Sequence, residues 1–405
     1  MSLSRRAQSM PASPIRKLAP YADAAKAAGV HVYHLNIGQP DVPSAELFWD
    51  AVRGSSLEVL EYSNSAGINE LREKSARKYR EMGIEVETSE VLITTAGSEA
   101  LSIAIAAICN EGDEIIVPEP LYANYIGFAA SNAVQVVPIT TQIEDNFALP
   151  DAAEFEKRIT SRTKAIIVCN PGNPTGTIYS VDQLRALKNL AIRHNLYLIA
   201  DEVYREFYFG DERPTSVLQL DGLDEHTIMI DSVSKRFSLC GARIGFLVTR
   251  NKALMDAAIR FAQARLSSPT LEMIGVMAAL DTPQTYFDEI RDEYRSRRDL
   301  LVSRVGSWPG ALVPRIDGAF YATVRLPIDD CDRFCQWLLE EFRHENSTVM
   351  LAPATGFYST PGLGKDEVRI AYVLNVNDLS KALDCLEAAL TVYPGRVVDS
   401  ASVSS

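Results

Sequence analysis

KAIIVCNPGNPTGTIYSVDQLRALKNLAIRHNLYLIADEVY, residues 164–204, holds two short apolar runs separated by a helical pattern. The runs are KAIIVCN (164–170) and YLIADE (197–202), and the helical pattern covers Val181 to His194. Val, Ile and Leu are continuous in the runs rather than alternating, as in strands covered on both faces. Strand, helix and strand of this kind form a parallel crossover unit, which belongs to an α/β architecture. The alternation extends in both directions. VLITT (91–95) precedes a helix-like SEALSIAIAAIC, followed by EIIVP (114–118), a segment around Tyr122 to Ser131, and VQVVPIT (134–140). A charged helix from Asp151 leads into the quoted stretch, and TIMIDSV (227–233) and ARIGFLVT (242–249) close the series. The expected fold class is α/β: a large domain with a mostly parallel sheet sandwiched by helices.

After Asn251 the pattern changes to a long helical region reaching about Val305, broken near Pro269 and Pro283. AFYATVRL (319–326), a helix over Asp330 to Phe342, TVMLAP (348–353), EVRIAYVL (367–374) and a last helix then read as a smaller α+β unit. The expected division is a large domain over 50–290 and a small domain formed by both chain ends, 1–49 and 291–405. The first ~50 residues contain few regular patterns and are expected to pack on the small unit. The last dozen residues read as a frayed tail.

The balance of 40 basic against 53 acidic side chains leaves −13, with no basic stripe, so neither nucleic acid nor an anionic membrane is an expected partner. A bound anion therefore needs local arginines. MSLSRRAQSMPASPIRKL at the start has no continuous apolar core for a secretory signal, and the most apolar stretch, Ala100 to Cys109, is too short to span a bilayer. Six cysteines occur without a CxxC pair; Cys331 and Cys335 stand one helical turn apart and read as ordinary packing or surface residues. Reduced thiols in a cytoplasm are expected. No metal site is expected: the five histidines, His31 and His34 among them, lack ligand spacing, and both precede a strand-like LNIGQPD. Neither a GxSxG elbow nor a Walker loop is present.

Open α/β sheets bind ligands beyond the carboxyl ends of their strands, where this sequence places its chemistry. AGSEA (96–100) sets Gly97, Ser98 and Glu99 at a strand-to-helix turn whose free N–H groups suit a phosphate, although Ser98 reads equally as a plain helix cap. NPGNPTG (170–176) is a rigid turn that aims the Asn173 amide. IADEVY (199–204) brings Asp201 out of an apolar strand, where a carboxylate needs a cation such as a protonated ring nitrogen, or serves as a cap. SVSKRFSLCGARIG (232–245) is the most specific stretch. It places Lys235 beyond a strand between Ser232, Ser234 and Arg243, a setting for a lysine of lowered pKa that forms a Schiff base. Arg369, inside the apolar run EVRIAYV, is suited to a bidentate carboxylate or to a structural salt bridge.

NIGQPD, YSNSAGINELR, GSEAL, NPGNPTG, DEVY, SVSK and CGARIG stand in the order and spacing of one family. From about Pro14 to Pro394 the chain resembles the fold-type I pyridoxal-phosphate (PLP) aminotransferases, in the class I branch of the bacterial aspartate aminotransferases. The resemblance implies that Lys235 binds PLP and then moves the proton between the substrate Cα and the cofactor. Asp201 pairs with the pyridinium nitrogen, Tyr204 and Asn173 bond the phenolate oxygen, and Tyr122 of EPLYANY stacks on the ring. Gly97, Ser98, Glu99, Ser232, Ser234 and Arg243 fall at the cofactor's phosphate end. Tyr62 matches a tyrosine that reaches the neighbouring subunit's phosphate, which implies a homodimer with shared active sites. Arg369 holds the substrate α-carboxylate, and Gly38 sits in a loop closing over it, near Asn173.

The resemblance implies ping-pong transfer from an L-amino acid to a 2-oxo acid, with aspartate and 2-oxoglutarate the leading pair. Relatives with acidic substrates carry a lysine at the position of Ser98, which leaves Arg16 (SPIRKL) and Arg265 (QARLSSP) as alternative cations, or as structural ones. Two other readings use the same residues. One is a PLP β-lyase, separable by its products; the other is a PLP-binding sensor, usually fused to a DNA-binding segment that this acidic chain lacks.

Overall fold

The computed structural model describes residues 2–397, and the expected terminal tail lies outside them from residue 398 onward. The earlier part of that tail is paired rather than frayed: Arg396 bridges Ile328, and the Val397 N–H donates to the Pro327 carbonyl.

The strands, in chain order, are β1 (His31–His34), β2 (Val91–Thr94), β3 (Glu114–Glu119), β4 (Gln135–Thr140), β5 (Thr163–Cys169) and β6 (Tyr197–Asp201). β7 (Thr227–Ser232), β8 (Gly245–Val248), β9 (Tyr321–Arg325), β10 (Ser347–Met350), β11 (Ala352–Pro353) and β12 (Glu367–Ala371) follow. Seven of them form one sheet in the order β2-β8-β7-β6-β5-β3-β4. β8 runs antiparallel to both neighbours, and the remaining pairs are parallel. The architecture is the expected α/β one, a mostly parallel sheet with helices.

Burial follows position in the sheet. Every residue of β3 and β7 is buried, whereas the edge strand β4 is mostly half-buried. The crossover helix Val181–His194 is bounded by local chemistry. Ser180 and Gln183 form a reciprocal capping box at its start, and Asn195 stops it in the left-handed region at φ 51°.

The remaining strands make a parallel pair, β1 with β10, and an antiparallel sheet, β11-β12-β9. Several expectations shift here. HVYH is itself the strand, and the LNIGQPD that was read as strand-like follows it as a loop. β10 supplies the free edge that selects that register. The first fifty residues contain helices at Arg5–Ser9, Ala19–Ala27 and Glu46–Arg53. The charged helix from Asp151 is short, Ala152–Glu156. Among the described residues, no helix is long and apolar enough to cross a membrane, and no group of three or more His, Cys, Asp or Glu is arranged to hold a metal ion.

Candidate active site

The parallel strands end on one side of the sheet, at a cavity of about 640 Å³ lined by Tyr122, Asn173, Asp201, Lys235, Tyr321 and Arg369, among others. β7 passes into a four-residue helix, Val233–Arg236, capped by Ser232, whose Oγ accepts the Ser234 N–H at 3.1 Å. That turn presents Lys235. Its Nζ donates to the Gly38 carbonyl at 2.7 Å and lies 3.8 Å from Cys240 Sγ. Burial holds the ammonium below the usual lysine range, with Arg369 and Arg243 pushing the same way and Cys240 opposing. An amine so placed is more readily deprotonated, the form that attacks an aldehyde.

Asp201 ends β6 with 4 % exposure. It accepts the Tyr125 hydroxyl at 2.8 Å and the Val203 N–H at 3.4 Å, and burial pushes its pKa up to about 6. No basic side chain among the described residues forms an ion pair with it, so a cation supplied by a ligand would complete the site.

The NPGNPTG turn aims Asn173 between two partners. Its amide donates to Tyr204 Oη at 3.4 Å, and its oxygen accepts Arg369 Nη1 at 3.1 Å. Tyr204 Oη also lies 3.0 Å from Tyr321 Oη. Arg369, on β12, is 2 % exposed and donates Nη2 to the Asn36 carbonyl at 2.5 Å. Its guanidinium lies over the rings of Tyr321 and Phe357, at 4.6 and 4.7 Å. Burial lowers its pKa, and no carboxylate among the described residues pairs with it; its Nε has no partner at all. The structural salt bridge left open by sequence is not what the fold builds.

At the opposite wall, the helix Ala96–Ile108 starts with no side-chain cap hydrogen bond. Ser98 is therefore not its cap, and Gly97 and Ser98 line the cavity in its first turn. Ser232 and Ser234 share a hydroxyl contact of 2.9 Å beside them. Arg243 lines the same wall in the left-handed region at φ 54°, its Nη1 on the Cys240 carbonyl at 2.9 Å. Gly245 permits this close approach, since a Cβ there would stand 2.5 Å from the Gly97 nitrogen. Uncapped N–H groups, hydroxyls and an arginine together suit a phosphate.

Tyr122 lines the cavity and meets Tyr125 edge-on at 5.3 Å. Gly38 is pressed against Tyr321: a Cβ would overlap its hydroxyl at 1.6 Å. One expected site residue lies elsewhere, and Tyr62 is expected at a neighbouring subunit's cavity rather than this one. Glu99 turns away to accept the Thr95 N–H at 2.6 Å and to pair with Arg265 at 3.0 Å. That pair also removes Arg265 as a candidate substrate cation. Tyr62 is 79 % exposed and outside this cavity.

Sequence reasoning missed Tyr125, Tyr321, Asn36 and Cys240. Tyr125 stands one helical spacing after Tyr122, a signal that was present; Asn36 acts through its carbonyl, which no side-chain pattern announces.

A buried amine, a buried carboxylate lacking a cation, an uncapped helix start and an unpaired arginine around one cavity fit pyridoxal 5′-phosphate and a carboxylate substrate. Fold and site define a PLP-dependent transaminase of fold type I. The sequence profile of the class I and II aminotransferases matches residues 30–386, and the chain belongs to that family. It is 32% identical over 391 residues to the aspartate/prephenate aminotransferase of Thermus thermophilus, covering 94% of this chain and 97% of that one. Identity to the aspartate aminotransferase of Bacillus subtilis is 29%, over 95% and 98% of the two chains. Among solved structures, an aspartate aminotransferase mutant of Thermus thermophilus superposes with a TM-score of 0.88 at 31% identity, over 96% of this chain and 100% of that one. An alanine aminotransferase of Pyrococcus furiosus superposes at 0.87 and 28%, over 96% and 99%. Enzymes of this family act on amino acids and 2-oxo acids.

Proposed function

We propose that the protein transfers an amino group from an L-amino acid, aspartate foremost, to a 2-oxo acid such as 2-oxoglutarate in two half-reactions. The observation that carries this reading is Arg369, a buried guanidinium without a carboxylate partner among the described residues, in the same cavity as Lys235 and Asp201. A substrate α-carboxylate would complete it. Bound PLP supplies an electron sink for charge developing at the substrate Cα.

This chain's residues do the rest. Lys235 holds the cofactor and, as a free amine, moves the proton at Cα. Asp201 keeps a proton on the ring nitrogen, and Tyr125 keeps Asp201 in place. Asn173 and Tyr204 orient the ring, and Tyr122 covers its face. Gly97, Ser98, Ser232, Ser234 and Arg243 hold the phosphate. Gly38 brings its loop close enough to exclude water.

We further read residues 50–290 as the cofactor-holding domain, with both chain ends forming the small one. We place the protein in the cytoplasm, where its six free thiols stay reduced.

The test is to mix the PLP-loaded protein with aspartate or alanine without an acceptor and quantify the 2-oxo acid formed. One equivalent per site, followed by glutamate formation on adding 2-oxoglutarate, is expected. Continuous release of pyruvate and ammonia from cysteine, whose Cβ carries a thiolate leaving group, would replace transfer by elimination, and no product from any of these donors would refute both.

A further inference from the structure

We infer that Asp41 and Arg297 are positioning residues for the substrate: their ion pair anchors the loop 35–41, whose carbonyls hold Arg369 and Lys235; this deepens the transaminase reading. Two carbonyls of LNIGQPD meet two of the cavity's cations. The Asn36 carbonyl accepts Arg369 Nη2 at 2.5 Å, and the Gly38 carbonyl accepts Lys235 Nζ at 2.7 Å. The loop starts from a fixed point. The Leu35 N–H donates to the Met350 carbonyl at 3.0 Å, and the Leu35 carbonyl accepts the Ala371 N–H at 2.8 Å. Its far end is held by charge: Asp41 Oδ1 accepts Arg297 Nη1 at 2.7 Å, and Oδ2 accepts Nη2 at 3.3 Å.

Arg297 stands buried on the helix Gln284–Gly306 and also holds the run EVRIAYVL that bears Arg369. Its Nη1 carries two hydrogens, and the second goes to the Val373 carbonyl at 2.6 Å, beyond Arg369 in the same run. Nε pairs with Glu293 at 2.8 Å, and the guanidinium lies over the Tyr294 ring at 4.7 Å. One buried guanidinium thus sets the spacing between the loop and Arg369. That spacing matters because a substrate carboxylate and PLP engage the same two cations that tie the middle of the loop. Once ligands compete for Arg369 and Lys235, the position of the loop rests on its two ends. Past Asp41, the Pro43 carbonyl takes only a neutral hydrogen bond, from the Tyr286 hydroxyl at 3.0 Å, so the stronger hold at this end is the ion pair.

The experiment compares wild type with Asp41→Ala and Asp41→Asn in the PLP-loaded protein. Arg297 keeps Glu293 in both variants, so neither strands a buried charge. In Asp41→Ala, KM for the amino acid should rise about tenfold, the scale of re-ordering one residue of backbone, with kcat changed far less. Asp41→Asn retains an oxygen acceptor for Arg297 and should recover part of the loss. Equilibrium binding of propionate should weaken by the same factor, while PLP affinity stays within about twofold. An unchanged KM alongside a lowered Tm would make the pair a stabilising contact only and overturn the assignment. Equal losses of propionate and PLP affinity would also overturn it, since the whole cavity would then have loosened. If amino transfer is absent but propionate binding still weakens in Asp41→Ala, the catalytic reading falls and this one stands.

Discussion

At the scale of single residues, burial sets the chemistry. Arg369 meets a carbonyl and an amide oxygen, neither of which neutralises it. Arg369→Ala should raise KM for the amino acid about a hundredfold, the scale of a bidentate charged contact, while Arg369→Lys keeps the charge without the planar fork and recovers only part. An unchanged KM in steady-state kinetics would remove the arginine from the substrate. Lys235→Ala should abolish turnover and the covalent PLP adduct seen by mass spectrometry after borohydride reduction, and a surviving adduct would point to another lysine.

Asp201 carries a pH dependence. Its pKa rises from 3.8 to about 6 on folding, chiefly through burial, so the folded chain binds the proton more tightly than the unfolded one. The associated stability is present below the unfolded pKa and is lost as pH rises through about 6. A shift of roughly two units corresponds to about 3 kcal/mol. Urea unfolding of cofactor-free protein between pH 4 and pH 7 should show a loss of roughly that size in wild type relative to Asp201→Asn. Parallel curves for the two proteins would contradict the burial argument.

At the scale of elements, the four-residue helix bearing Lys235 is too short to hold itself. The buried Asp231 just before it accepts Tyr79 Oη at 2.8 Å and pairs with Arg236 at 3.1 Å, and Arg205 lies 3.8 Å away. This network ties both ends of the turn to the helix Asn69–Glu81. Asp231→Asn would leave the buried Arg236 guanidinium without its carboxylate, while Arg205 keeps Glu202 at 2.9 Å, and should cost about 3 kcal/mol in urea unfolding. A change below about 1 kcal/mol would show that the turn is held by packing instead. Gly245 plays the complementary part at the phosphate wall. Gly245→Ala should displace the Gly97 N–H and weaken PLP affinity, as read by fluorescence titration.

At the scale of the whole molecule, Leu57, Val59, Leu60 and Tyr62 form an apolar stretch of loop, each more than half exposed. Apolar surface of this kind is costly in a monomer and suits a second copy of the chain. We expect light scattering to give about twice the 44.6 kDa chain mass. Tyr62→Ala should lower PLP affinity if Tyr62 reaches the partner's phosphate site. A monomer that binds PLP with full affinity would refute the shared-site reading.

Much of this was legible beforehand because local physics carried it. Continuous Val/Ile runs in β5, β6 and β7 announced strands buried on both faces, and a helical pattern over Val181–His194 announced the crossover helix. Motifs at strand ends named Lys235, Asp201 and Asn173, since a parallel sheet must collect its carboxyl ends on one side, whereas Arg369 was named by standing inside an apolar run. Tertiary structure alone decided which charges had partners. Glu99 and Arg265 are 166 positions apart and looked like free site residues until folding paired them. Arg369 looked equally like half of a salt bridge until folding left it without a carboxylate. Whether HVYH or LNIGQPD formed the strand likewise depended on the distant β10. Sequence patterns report periodicity and local capping, which act over a few residues. Pairing of charges and strand edges depends on groups brought together across the chain, and only the folded packing determines those distances.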